Sequence, residues 1–577
     1  MSPDRGGVKR WMPLVRGARI GPLVRHLERM VGCSPQRTPE LTEAAFVQAK
    51  RRQVDQFLAF LVVILLVGLL GTFVAVNVYR CRTDDLFIHL RYAEMLGQGH
   101  GFRFNPGEHP VEGTSSLFYT IVLALLLRLI PADPLLLANG LALASLLGTG
   151  ALLFGLLRPV VKNSLALATT AFLFFTNKNI LHSLLEMEST FIAFFLVLTV
   201  SLYTRQVRTP FFPRLPLWPL AAVVSVATRA ESLFLVLGIL VTSAIVTSKE
   251  RVNNASRRHP REWLSDTHVA GAILVGTMLL LFFAWKISYF PRLETPPSLL
   301  KSVPAWMRTE KAVVWTGFAM FVRSNLDVAA GVIVFVLVGT RFTSKVEGLA
   351  PSITVPTLVF TGMNQVFHSY FYAFDLRYAN FSLALLFLLV GLGLWRVWER
   401  LPTRALRLVL IAVCLAWGVR NYIVSQRNYR TYAELESFPY RQVGLFLQRA
   451  SCKGATVASS EAGAPAYYSQ RRFFDLWGFN DYITAGFWRD RNRDRSMVTL
   501  GSDVATDPRF QLFYERMFAQ RASFVFLVNN EPGKVMHAHP RFQEEYHPVW
   551  KQPIPGLPDG FGQVFARKND PCVLATH

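Results

Sequence analysis

Cysteine is scarce in this chain and badly spaced for chemistry. The five in 577 residues (Cys33, Cys81, Cys414, Cys452, Cys572) are odd in number and scattered, which excludes both metal-ligand spacing and a disulfide framework. Cys452 and Cys572 can pair only if their region lies outside the cytoplasm. Charge is scarce as well: 17% of residues are charged, against about 25% in soluble domains, which argues against a cytosolic enzyme. Acids are fewer still, 38 against 61 Lys and Arg. Internal repeats, low-complexity tracts and a secretory signal pattern are all missing. The net charge of +23 would suit nucleic acid if it were gathered on one face. It falls instead in short clusters between apolar runs, so no nucleic-acid partner is expected.

Hydrophobic residues are abundant. They make up 51% of the chain, with 45 Phe and a positive mean hydropathy of +0.29, which excludes disorder. Apolar runs long enough to cross a bilayer, about 17–25 residues, recur at 56–77, 135–157, 164–181, 189–204, 269–289, 349–367, 379–395 and 406–421. Residues 216–248 hold two crossings around Thr228-Arg229-Ala230-Glu231, and 326–340 a shorter one. The run 114–130 is ambiguous.

Basic loops decide its place. The first 55 residues carry eleven Lys and Arg against five acids, which puts the N-terminus in the cytoplasm. If 114–130 crossed the membrane, the basic stretches Arg205–Arg214 and Lys249–Arg261 would land outside. If it lies in the outer interface as an amphipathic helix, every basic loop falls inside. The expected architecture is therefore a polytopic α-helical membrane protein: a basic cytoplasmic segment 1–55, a transmembrane domain 56–421 of eleven crossings, and a soluble α/β domain 422–577 on the outer face. The tail reads as α/β from β-like runs such as Ala455–Ser459 and Ser523–Val528.

With that topology the unusual polar residues gather near one surface: Asp84, Asp85, Glu112, Glu186, Glu188, Arg229, Glu231, Lys301, Asp375 and Arg377. Ionisable groups at membrane depth cost about 2.5–3.5 kcal/mol on insertion scales, so such a set marks an outward-facing site. Adjacent carboxylates can divide labour between base and orienting group; alternatively Asp84 and Asp85 merely open a helix. His89 and His100 lack partners at ligand spacing, so zinc is not expected. Asp84 and Asp85 would suit Mg, Mn or Ca if a divalent cation binds.

The segment Asp84–Tyr119, DDLFIHLRYAEMLGQGHGFRFNPGEHPVEGTSSLFY, closely resembles the first outer loop of polyprenyl-phosphate-dependent membrane glycosyltransferases of the GT-C superfamily. The nearest group is the mycobacterial arabinofuranosyltransferase-like branch, and in that superfamily the helix after this loop is juxtamembrane. Weaker resemblances follow in order: Glu186-Met187-Glu188-Ser189-Thr190-Phe191, Thr228-Arg229-Ala230-Glu231-Ser232, Tyr289–Lys301, Arg377-Tyr378, and in the tail Glu461-Ala462-Gly463-Ala464, Tyr467-Tyr468 and Asp475–Asp481. Several departures, such as Glu186 in place of a Gly, put substrate identity in doubt more than reaction class.

The resemblance implies sugar transfer from a polyprenyl-phosphate donor to a hydroxyl of an envelope glycan or lipid acceptor, at the outer face of a bacterial inner membrane. It implies Asp84 as base, with Asp85 orienting the acceptor or holding a cation. Arg229, Lys301 and Arg377 become candidates for the leaving phosphate. Glu112, Glu188, Glu231 and Tyr378 become substrate contacts, and Asp475, Trp477 and Asp481 acceptor contacts or turn formers. Two other readings stay open: a transporter or flippase of a lipid-linked precursor, which predicts an inverted repeat, and a non-catalytic envelope scaffold.

Overall fold

The computed structural model describes residues 43–78, 83–184, 188–208, 216–254, 267–301, 319, 321–339, 349–372, 377–432, 438–493, 508–554 and 561–574. Among them, six helices are long and apolar enough to cross a membrane: Arg52–Asn77, Pro134–Leu157, Ser189–Val207, His268–Tyr289, Phe381–Arg400 and Arg404–Tyr429. Four more apolar helices are shorter: Leu117–Leu129, Ser164–Thr176, Trp218–Thr228 and Ala230–Ile245. The chain is thus a multi-pass helical membrane protein, but the expected eleven crossings are not matched by eleven helices of spanning length.

The shortfall has local causes. Run 164–181 is cut at Asn177, which ends Ser164–Thr176 and caps the next helix by accepting the amides of Asn179 (3.0 Å) and Ile180 (3.1 Å). Run 216–248 breaks at the expected place, a 3-10 turn Ala230–Ser232, but its first helix, Trp218–Thr228, has only 11 residues ahead of Leu233–Asn254. The run 114–130, which is not among the eleven expected crossings, is the 13-residue helix Leu117–Leu129. At 1.5 Å per residue it extends about 20 Å, short of a hydrocarbon core of about 30 Å. The 326–340 and 349–367 runs form Leu326–Gly339 and Leu349–Tyr372, the latter with Pro356 inside.

Burial sorts the long helices. Phe381–Trp395 is almost wholly enclosed, whereas Val67 (64%) and Leu280 (73%) expose large apolar side chains. Exposed leucine and valine on helices of this length face lipid. The central helix fits because position 391 is Gly: a Cβ there would collide with Leu157 and Thr170, and small residues let membrane helices approach closely.

After residue 422 the described chain forms a five-stranded mixed sheet of order β2-β1-β3-β5-β4, with β1 Thr456–Ser459, β2 Arg472–Asp475, β3 Phe524–Leu527, β4 Tyr546–Pro553 and β5 Phe561–Arg567. Strands β1, β2 and β3 are parallel; β5 is antiparallel to β3 and β4. Both faces are covered, as parallel strands require. Val457, Phe473, Phe524, Phe526 and Val564 pack on Tyr440, Val443 and Leu447, and on Leu86, Phe87 and Leu90 of the first-loop helix Asp84–Gly97. Ala458, Phe474, Val525 and Phe565 face Trp488, Phe513, Met517, Val535 and Met536. The α/β tail is therefore docked on the first loop through a shared apolar core. Cys452 and Cys572 form a disulfide across 120 residues, clamping its two ends.

Candidate functional site

Asp84 and Asp85 open the helix Asp84–Gly97, both partly exposed, with Thr83 as N-cap. The Asp84 carboxylate does more than complement the helix dipole. Its Oδ2 accepts the Gly463 amide (2.8 Å) and its Oδ1 the Ala464 amide (2.7 Å). Those amides belong to the turn Glu461–Ala464 that leaves the C-terminal end of β1. A Cβ on Gly463 would overlap the Asp84 carboxylate and carbonyl, so only Gly lets turn and acid meet. Glu461, in the same turn, accepts Asn530 Nδ2 at 3.0 Å. Burial, reinforced by the Asp84 and Asp85 charges, pushes its proton affinity well above the ordinary carboxylate range.

A second cluster lies beside the pair. Glu188 Oε1 accepts the Ser115 hydroxyl (2.7 Å) and Arg229 Nη1 (3.0 Å), while Arg229 Nη2 donates to Glu231 Oε1 (3.0 Å). The Arg229 guanidinium also covers the Phe381 ring, 5.0 Å from its centroid. His89, one turn beyond Asp85 on the same helix, places Nε2 3.7 Å from Glu188 Oε2 and Nδ1 2.8 Å from Thr120 Oγ1. Burial pushes Glu188 up, but His89, Arg229 and Ser115 more than offset it and hold it below its ordinary value. Burial also holds His89 low against the pull of Glu188 and Asp85. The lasting countercharge to Glu188 at neutral pH is therefore Arg229.

Glu112 stands in a third arrangement, 2.8 Å from Lys286 Nζ. Burial outweighs that ammonium and pushes Glu112 up to about 6. The expected acceptor residues of the tail hold its own backbone. Asp475 is buried and accepts the amides of Trp477 (2.9 Å) and Asn480 (3.1 Å) and Asn480 Nδ2 (3.2 Å). Burial still pushes it up to about 7. Trp477 packs on Trp488, and Asp481 caps Thr484 (amide, 3.0 Å) while pairing with Arg516 at 2.8 Å. These contacts are those of turn formers.

The structure thus brings Glu188, Arg229 and Glu231 together, with His89 of the helix that Asp84 and Asp85 open reaching Glu188, and sets Glu112 with Lys286. Lys301 ends the helix Pro296–Lys301, and Arg377 and Tyr378 begin Arg377–Arg400; their side chains, and Glu186 and Asp375 entirely, lie outside the described residues. Among the described residues no group of three His, Cys, Asp or Glu could hold a metal ion, and Asp84 has an amide at each oxygen. No step is routed through a cation.

Sequence reasoning missed Arg91 and Lys286. Buried Arg91 donates to the carbonyls of Phe104 (2.8 Å), Ala466 (2.5 Å) and Arg471 (2.7 Å) and to Asn105 Oδ1 (2.9 Å). Asn105 in turn exchanges two 2.9 Å bonds with the Phe473 backbone. The Phe104-Asn105-Pro106-Gly107-Glu108 motif is thereby tail-docking hardware. The signal for Lys286 was available: a lone cation inside an apolar run.

The described chain is a bundle of membrane helices whose first loop carries paired acids beside an α/β domain. Among solved structures, the chain is similar to ArnT from Cupriavidus metallidurans, in the apo state (TM-score 0.56, 13% identity) and bound to undecaprenyl phosphate (TM-score 0.57, 12% identity). Each likeness covers 90% of this chain and 99% of that one. At such identity the shared property is the fold. Residues 425–570 match a domain of unknown function, DUF8728. No curated protein matches the chain.

Proposed function

We propose that the protein is a GT-C glycosyltransferase that moves a sugar from a polyprenyl-phosphate donor to a hydroxyl of an envelope glycan or lipid at the outer face of a bacterial inner membrane. The observation that carries this reading is the meeting of Asp84 and Asp85 with the tail turn, beside the buried Glu188–Arg229–Glu231 network, within an ArnT-like fold. That one ArnT structure holds undecaprenyl phosphate supports the donor class. The disulfide supports an extracytoplasmic tail, since such bonds persist in oxidising compartments. The basic loops support a cytoplasmic N-terminus and a membrane domain 56–421 ahead of a tail 422–577. The finer kinship is with arabinofuranosyltransferase-like enzymes, on the first-loop motif.

In the proposed step the acceptor hydroxyl gives its proton to the Asp84/Asp85 pair as its oxygen bonds to the anomeric carbon. The bond from that carbon to the phosphate oxygen breaks, and its electron pair stays on the phosphate. One displacement inverts the anomeric centre. The two amides on Asp84 hold its carboxylate in one orientation, and Asp85 follows it at the start of the same helix. Lys301 and Arg377 serve the leaving phosphate. Arg229, already shared by two carboxylates, acts through the shape of the network. Membranes carrying the wild-type chain should transfer sugar from a synthetic prenyl-phosphate donor, and Asp85→Asn should lower transfer by about 10²–10⁴-fold. Wild-type transfer rates in that variant would remove the assigned base.

A further inference from the structure

His89 is buried beside the Glu188–Arg229 network, 2% exposed, and has no part in the proposed step. Its neighbours decide which ring nitrogen carries the proton. Thr120 Oγ1 gives its one proton to the Ser116 carbonyl (2.8 Å), so towards His89 Nδ1, also 2.8 Å away, it accepts. Nδ1 is therefore the protonated nitrogen. Nε2 keeps its lone pair in the neutral ring, the form that burial favours. The Tyr119 ring stands edge-on to the imidazole, 5.3 Å between centroids, and holds its plane.

Nε2 is thereby turned towards other acceptors. The Ser115 hydroxyl, 3.4 Å away, donates to Glu188 Oε1 at 2.7 Å instead. Arg229 Nη1 donates to the same oxygen at 3.0 Å. Glu188 Oε2 lies 3.7 Å from Nε2, too far for a hydrogen bond. No side chain among the described residues donates to it. Two buried acceptors thus stand side by side, and such groups are costly unless something donates to them. The guanidinium on the same carboxylate repels a cation, which leaves neutral donors.

We propose that His89 Nε2 and Glu188 Oε2 form a two-acceptor notch that binds adjacent hydroxyls of a sugar ring, each hydroxyl giving its proton to one of the two atoms. This deepens the glycosyl transfer proposed above and rests on it for the role of the sugar, not for the notch. A sugar held there is within one helical turn of Asp85, on the helix Asp84–Gly97.

Ring-nitrogen NMR of the full-length, histidine-labelled protein in detergent reads the tautomer, the signal lost in His89→Phe being that of His89. A neutral ring with its proton on Nδ1 is expected, and Thr120→Val should shift the population towards Nε2–H. An Nε2–H or doubly protonated ring in the wild type at neutral pH overturns the inference. Synthetic prenyl-phosphate pentoses and hexoses, or their methyl glycosides, should move the Nε2 signal, and bare prenyl phosphate should not. A signal that no sugar moves overturns the notch, the two atoms then holding water only. In transfer assays KM should rise about tenfold in His89→Phe, the worth of one hydrogen bond. It should rise in Thr120→Val as well, which keeps the ring, and His89→Gln should recover part through its amide oxygen. A rise in the donor KM alone places the hydroxyls on the transferred sugar, and a rise in the acceptor KM alone places them on the acceptor. Unchanged KM values in His89→Phe overturn the notch and leave the glycosyltransferase reading standing. If the wild type transfers no sugar from these donors while methyl glycosides move the Nε2 signal, the notch stands and that reading falls.

Discussion

Lys286, in the otherwise apolar helix Thr267–Tyr289, places its ammonium 2.8 Å from the Glu112 carboxylate of the first loop, with both side chains at most a tenth exposed. The pair ties the loop to the end of a membrane helix, and it is a costly tie. With Glu112 raised from 4.5 to about 6, the folded chain binds this proton more tightly than the unfolded one. Stability is therefore greatest below pH 4.5 for this group and falls as pH rises towards 6, by about 2 kcal/mol. Lys286→Met removes the attraction that keeps Glu112 from rising further. Inactivation half-lives in detergent should show that variant losing stability over a wider span of pH than wild type. An unchanged profile would mean that the pair is not closed in solution.

Arg229 uses its two ends on two acids, Glu188 and Glu231, a fork that an ammonium cannot reproduce. Arg229→Met should cost about 3–5 kcal/mol, because it leaves a buried carboxylate unpaired. Arg229→Lys should recover part of that loss. If thermal stability in detergent is the same for all three chains, the network contributes nothing to the fold.

For the paired acids, Asp85→Asn should lower kcat by about 10²–10⁴-fold, the usual worth of a general base, with less effect on thermal stability than Asp84→Asn. Asp84→Asn should lower both, since its new amide nitrogen would face a backbone donor. Equal stability for the two variants would show that Asp84 does not dock the tail.

The Cys452–Cys572 bridge closes a span of 120 residues. A loop of that length is worth about 4–5 kcal/mol on chain-entropy grounds. Replacing both by Ser should make the tail the first part cut in limited proteolysis, and non-reducing gels should show the bridge in wild-type membranes. A fully reduced wild-type chain would contradict an extracytoplasmic tail.

Much of this was legible in the sequence, unevenly. Membrane helices announce themselves by composition, because lipid selects side chains residue by residue. Helix breaks were harder. Asn177 reads as an unremarkable polar residue in the run 164–181, yet it caps one helix while ending another. Glu188, Arg229 and Glu231 were recognisable as unusual charges in apolar surroundings, and the structure joins them. The tail acids were legible only as polar residues near turns. Asp475 is consumed by its own loop's amides, which no linear pattern distinguishes from an acid awaiting a ligand.

The chain by itself determines a helical membrane protein, an α/β tail and a first loop with paired acids, since each depends on local composition or on neighbours in sequence. Which groups meet Asp84 was decided by the tertiary structure alone. Gly463 and Ala464 stand 379 and 380 residues away, and a backbone amide carries no mark in the sequence of the acid it will meet. That contact exists because the helix Ala464–Ser469, which follows the turn, packs its Tyr467 and Tyr468 rings against Phe87 of the first-loop helix. The burial brings together a turn and an acid that neither segment specifies alone.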